Sequence, residues 1–205
     1  MSRLILSYIF TSSSLWIFSF LMPLLFLSAK APPLLITTAY AVAFSSYLIV
    51  TPFAGGLCDR FNKKMMLLLG ELLASLSIAI IAIMPINSTT TPLILLLTFI
   101  AASAGVMHHP TFQSIIPSVV HPDFREKFNA KINGIDNVVN ILAPLGAGSL
   151  LILMNHQQVL LSCIALNCIS YLIITYLNYQ HFSDKWHPDF PGGALWEKDT
   201  FVWSG

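Results

Sequence analysis

The sequence predicts an all-α polytopic membrane protein with six transmembrane helices, and three observations carry that prediction. Only 9% of the residues are charged and 56% are hydrophobic, against about 25% charged in a soluble globular domain. Six apolar runs approach or exceed the about 20 residues a helix needs to cross a hydrocarbon core about 30 Å thick. The runs are too continuous for the alternating strands of a membrane barrel, whereas helices satisfy their own backbone hydrogen bonds in lipid.

The first span, Leu4–Ser28, follows Met1-Ser2-Arg3. It exceeds the about 7–15 apolar residues of a signal peptide, and no small-x-small cleavage site follows it, so it reads as a retained span. The others are Leu34–Pro52, Met65–Ile86, Pro92–Val119, Ile132–Met154 and Val159–Tyr176. The segments between them carry charge unevenly. Arg3 precedes the first span, Arg60, Lys63 and Lys64 follow the second, and Arg125, Lys127 and Lys131 follow the fourth. Lys185 and Lys198 follow the sixth, and the other three connections hold only Lys30. The positive-inside rule therefore predicts both termini in the cytoplasm of a cell (inner) membrane protein. The bundle is expected over residues 1–180, with a polar cytoplasmic tail over 181–205. Trp186, Trp196 and Trp203 in that tail suit the headgroup level, or the tail is a disordered end.

Several classes are excluded. A net charge of +1 and the lack of a basic face argue against nucleic acid. Cys58, Cys163 and Cys168 are odd in number and point to packing rather than to a disulfide framework or a zinc site. No metal or cofactor is expected. Neither H-E-x-x-H nor G-x-S-x-G occurs, so an intramembrane hydrolase lacks its parts.

Against this apolar background the stretch GGLCDRFNKK, residues 55–64, gathers Asp59, Arg60, Lys63 and Lys64 into one turn. Gly55 and Gly56 allow the second helix to end against a neighbour with close backbone approach. Asp59 is expected at the N-terminus of the third helix, where a carboxylate meets the positive end of the dipole. A plain positive-inside loop explains the cations but not the glycine pair at a fixed distance from the aspartate. The pattern G-x-L-x-D-R-F-x-K-K, formed by Gly55, Leu57, Asp59, Arg60, Phe61, Lys63 and Lys64, resembles the signature loop of the major facilitator superfamily. That resemblance implies twelve-helix secondary transporters made of two six-helix halves, of which this chain matches the N-terminal one. It also implies that the loop is a conformational latch between the halves.

On the fifth span NILAPLGAGSLL resembles the G-P-x-x-G-G signature of exporters in this superfamily. Pro144 and Gly148 match, Gly146 adds a small residue, and Ala143 and Ala147 stand where glycines are expected. The arginine common on helix four of the family is missing, with His108 and His109 in that region instead. The segment VVHPDFREKFNAKING resembles the helix-four to helix-five connection of the branch containing siderophore and macrolide exporters.

Ionisable groups inside spans are functional candidates. Glu71 and Asp136 are candidates for a substrate or proton site, or for ion pairs and hydrogen bonds near the cytoplasmic interface. His108 and His109 suit a proton relay or ordinary interhelical hydrogen bonding. Their about 100° separation around a helix keeps them from forming a joint metal site by themselves. Asn133, Asn137, Asn140, Pro144 and Gly148 fall on one stripe that should face protein or a water-filled cavity. Thr11-Ser12-Ser13-Ser14 offers hydroxyls either to substrate or to the helix's own carbonyls.

The expected function is proton-coupled efflux of a small amphipathic molecule, by a truncated or half-length form that works with a second six-helix half or by self-association. The alternative is a non-transporting remnant or an interaction partner of a full-length transporter. The expected partners are a small-molecule substrate and the lipid bilayer.

Overall fold

The computed structural model describes residues 2–120 and 122–176. Six helices follow one another: α1 (Ser2–Ser28), α2 (Pro33–Arg60), α3 (Lys63–Ile83), α4 (Thr91–Val119), α5 (Pro122–Leu153) and α6 (His156–Thr175). All six are long and apolar enough to cross a membrane. The expectations for residues 181–205, including Trp186, Trp196 and Trp203, lie outside the described residues.

Every span differs somewhat from its predicted bounds, and the largest differences are in α2 and α5. Helix α2 continues past Pro52 to Arg60, α3 ends at Ile83, and α5 begins at Pro122 rather than Ile132. Hydropathy marks the hydrocarbon depth of a helix, not its full length. At about 1.5 Å per residue, α2 and α5 outrun a core about 30 Å thick, and their charged turns continue the helix beyond it. Most of the expected connection between the fourth and fifth spans is therefore helical.

α1 is the central element. It packs against α2, α4, α5 and α6, while α3 packs on α4 and α6. The buried side chains fall into two apolar layers. One gathers Phe18, Leu21, Met22 and Phe26 of α1 with Ile78, Ile94, Leu97 and Leu160. The other gathers Leu4 and Tyr8 with Leu67, Phe112, Ile115, Ile116, Phe128, Ile132 and Ile174. The second layer lies at the end where α1 begins, α4 and α6 stop, and α3 and α5 start. This is the basic end of the bundle.

Basic side chains tie that end together. Lys63 Nζ donates to the Ser114 carbonyl of α4 (2.8 Å) and Lys64 Nζ to the Thr175 carbonyl of α6 (2.9 Å). Arg125 donates to the carbonyls of Val120 (3.1 Å) and Pro117 (2.7 Å). The Thr175, Pro117 and Val120 acceptors lie at helix C-termini, whose last carbonyls lack intrahelical partners and carry the negative end of the dipole, and Ser114 lies in the turn before.

Close helix approach is set by glycines the sequence reading did not single out. A Cβ on Gly70 would lie 3.3 Å from the Ala104 carbonyl, and one on Gly105 would lie 2.6 Å from Leu15 Cδ1. A Cβ on Gly55, Gly56, Gly146 or Gly148 would meet nothing within 4 Å. Gly70→Val should therefore destabilise the detergent-solubilised protein by about 1–3 kcal/mol through overpacking. Gly148→Ala should leave the unfolding midpoint unchanged or slightly raised, and thermal unfolding of the two variants checks the contrast.

Candidate functional site

Between the two apolar layers lies a polar one, and each of its members comes from a different helix. Glu71 of α3 is 2% exposed. Its Oε1 accepts from Thr11 of α1 and from Ser170 of α6, the latter at 2.7 Å. Thr11 Oγ1 and Ser170 Oγ lie 2.8 Å apart. His108 Nε2 of α4 stands 3.7 Å from Glu71 Oε1 and 3.4 Å from Thr11 Oγ1. Glu71 Oε2 is buried with no hydrogen-bond partner. The Glu71 residue lines a cavity of about 10 Å³ together with Thr11, Ser14, Asn167, His108 and Gly105. That is about the volume one water molecule requires.

A second polar track runs along the other side of α1. The Tyr8 hydroxyl is 2.7 Å from His109 Nδ1, and Ser12 Oγ donates to Asp136 Oδ1 of α5 at 2.8 Å. The reason is helical geometry. Ser7, Thr11 and Ser14 recur at steps of four and three and face α3, α4 and α6, while Tyr8 and Ser12 lie four apart on the neighbouring face. Adjacent residues thus send the two tracks to different partners.

Above Ser12, one turn along α1, Trp16 begins an aromatic cluster with α2. Its ring stacks on Tyr47 (5.7 Å between centroids) and lies 6.0 Å from Phe44. Phe44 in turn contacts Tyr40 (4.4 Å) and Phe20 (6.0 Å). The spacing of Tyr40, Phe44 and Tyr47 at steps of four and three carried this signal in the sequence, as an aromatic stripe on one face of a helix.

The sequence-predicted residues divide accordingly. Glu71 and His108 come together, both with buried side chains. His109 and Asp136 are placed on the second track. Asn137 and Asn133 are exposed and Asn140 is half-buried. On α5 the alanines standing for expected glycines, Ala143 and Ala147, are the buried ones, and Pro144 lies inside the continuous helix.

The loop residues need a correction. Gly55, Gly56, Leu57, Asp59 and Arg60 all belong to α2, so the glycines neither end that helix nor mark a close approach. Asp59 lies in the last turn of α2 and not at the start of α3. Asn62 caps α3 instead, accepting from the backbone N–H groups of Lys64 (3.0 Å) and Met65 (3.2 Å). Phe61 and Asn62 are the whole connection.

The sequence model of the Major Facilitator Superfamily matches residues 4–196. The chain belongs to that superfamily. It is a multi-pass membrane transport protein, and its six helices are a half of the superfamily's fold. No individual curated protein matches it.

Within this transporter, Glu71 is the residue on which the polar layer converges. Glu71→Ala should cost about 2 kcal/mol or more, from the cavity and the lost hydrogen bonds. Glu71→Gln keeps an acceptor oxygen and should cost less than about 1 kcal/mol. Reversible unfolding in detergent compares the two.

Proposed function

We propose that this chain contributes one six-helix half to a proton-coupled exporter of small amphipathic molecules, with Glu71 and His108 as the proton-handling pair. The observation that carries this reading is the buried contact of Glu71 with Thr11, Ser170 and His108, which joins α1, α3, α4 and α6. A carboxyl in a low-dielectric interior is expensive to charge. A change in its protonation therefore acts directly on the packing of four helices, which is what coupling a proton to alternating access requires.

The residues of the α2–α3 connection supply the latch. Lys63 and Lys64 already bind the ends of α4 and α6, so a movement at Arg60 to Lys64 reaches both helices. The basic end, with Arg60, Lys63, Lys64, Arg125, Lys127 and Lys131, faces the cytoplasm in this reading. Pro144, Gly146 and Gly148 support efflux through their resemblance to the exporter signature. The exposed Asn133 and Asn137 border the substrate path, where a second six-helix bundle or a second copy of this one covers them.

Flux in proteoliposomes under an imposed proton gradient tests the proposal. Glu71→Gln should lose gradient-driven transport at least tenfold while keeping downhill exchange. Undiminished driven transport in that variant would reject the role of Glu71. Asp59→Asn should impair transport with membrane insertion intact, and normal transport in it would remove the latch. A folded chain that moves nothing, alone or with a second half, would favour the non-transporting alternative.

A further inference from the structure

The Glu71 carboxyl is only half satisfied by its neighbours. Oε1 takes the hydroxyls of Thr11 and Ser170, whereas Oε2 is buried with no hydrogen-bond partner. The small cavity that Glu71 lines has two further polar walls, Ser14 of α1 and Asn167 of α6. Helical spacing puts these two at one level. Ser14 follows Thr11 by three residues and Asn167 precedes Ser170 by three, and α1 and α6 run in opposite directions. Both therefore stand one turn from the partners of Oε1, on the side away from the basic end. Ser14 is fixed there by donating to the Cys163 carbonyl at 3.0 Å, which leaves its oxygen able to accept. Asn167 is 2% exposed, and among the described residues no hydrogen bond reaches its side chain.

Two buried polar groups without partners at one cavity call for a ligand that serves both. An unpaired carboxyl oxygen and an unpaired amide each lose their hydration with nothing in exchange. The volume of about 10 Å³ excludes an organic molecule and matches one water. Cavities stay dry where the lining is apolar, and hold water where two to four polar groups converge. Glu71 Oε2, Asn167 and Ser14 Oγ make three. Apart from Thr11 and His108, the rest of the wall is glycine, alanine, Leu15 and Phe18, whose side chains compete for none of these hydrogen bonds.

We propose that this cavity binds a single water molecule, held by Glu71 Oε2, Asn167 and Ser14 Oγ. The water extends the Glu71 layer by one turn and makes Asn167 the residue that retains it. Its consequence for transport rests on the reading above, in which Glu71 changes protonation. A carboxylate oxygen only accepts a hydrogen bond, and a protonated one donates. Water turns to meet either, so Oε2 keeps a partner in both states.

The test reads the water and not flux, so its failure leaves the transport reading standing. Synchrotron radiolysis splits water where it lies, and the hydroxyl radical attacks the nearest side chains. The purified full chain in nanodiscs is irradiated, and mass spectrometry reads the oxidation rates of Phe18 and Phe112. Both rings are buried, but only Phe18 lines the cavity, so radicals from bulk water do not separate them. Phe18 is expected to oxidise at least fivefold faster. In Asn167→Leu its rate should fall to that of Phe112, while Asn167→Ser, which keeps a hydroxyl, should retain at least half of it. Thermal unfolding reports whether each variant is folded. If Asn167→Leu does not fold, Ser14→Ala removes another of the three contacts and should lower the Phe18 rate at least twofold. Oxidation of Phe18 no faster than Phe112 in the unsubstituted protein would overturn the water site. So would an unchanged Phe18 rate in folded Asn167→Leu or Ser14→Ala.

Discussion

The structure depends on one contact set: the Glu71 carboxyl held by the hydroxyls of Thr11 and Ser170 beside His108. Lipid provides no hydrophobic drive between helices, because its tails are as apolar as leucine. Association inside the bilayer relies on packing and on polar groups that find partners only in each other. Here those groups come from α1, α3, α4 and α6, and they lie between two apolar layers that would otherwise be continuous. The polar layer fixes which turn of each helix faces which. The small residues Gly70 and Gly105 on α3 and α4 let the backbones come close enough for it.

The same arrangement explains why α2 and α5 differ from the rest. Neither contributes to the Glu71 layer. Each packs mainly on one or two neighbours, and each leaves a broad face uncovered. On α5 that face carries Asn133 and Asn137 with Ile141, Leu142 and Leu145. Four helices meet in the Glu71 layer, whereas α2 packs on α4, with Cys58 Sγ 3.3 Å from Thr111 Oγ1, and on α1 through aromatic rings, and α5 packs on α1 through Asp136 and apolar side chains.

Much of the architecture was legible in the sequence. Apolar run length and the lysine and arginine distribution are physical requirements of the bilayer, so six helices and one basic end followed directly. Helix ends were less legible, because charged turns such as those at Arg60 and Arg125 continue a helix without a hydropathy signal. The pairing of Glu71 with His108 was hidden for a different reason. Each was visible as an ionisable residue in a span, but nothing in the spacing along separate helices says which turns meet. Glu71 reads as near the cytoplasmic side from its distance to Lys64, but nothing along α3 alone says that α1, α4 and α6 close over its side chain. Ser170 and Tyr8 carried no signal of their own beyond being polar in an apolar run.

The central claim is that Glu71 and its hydroxyl partners act as one unit. A double-mutant cycle on reversible unfolding in bicelles, with Glu71→Ala and Ser170→Ala, each of which removes the hydrogen bond between them, tests it most directly. The account predicts a coupling energy of about 1 kcal/mol, within the range for residues sharing a buried network. Additivity of the two substitutions to within about 0.3 kcal/mol would contradict it.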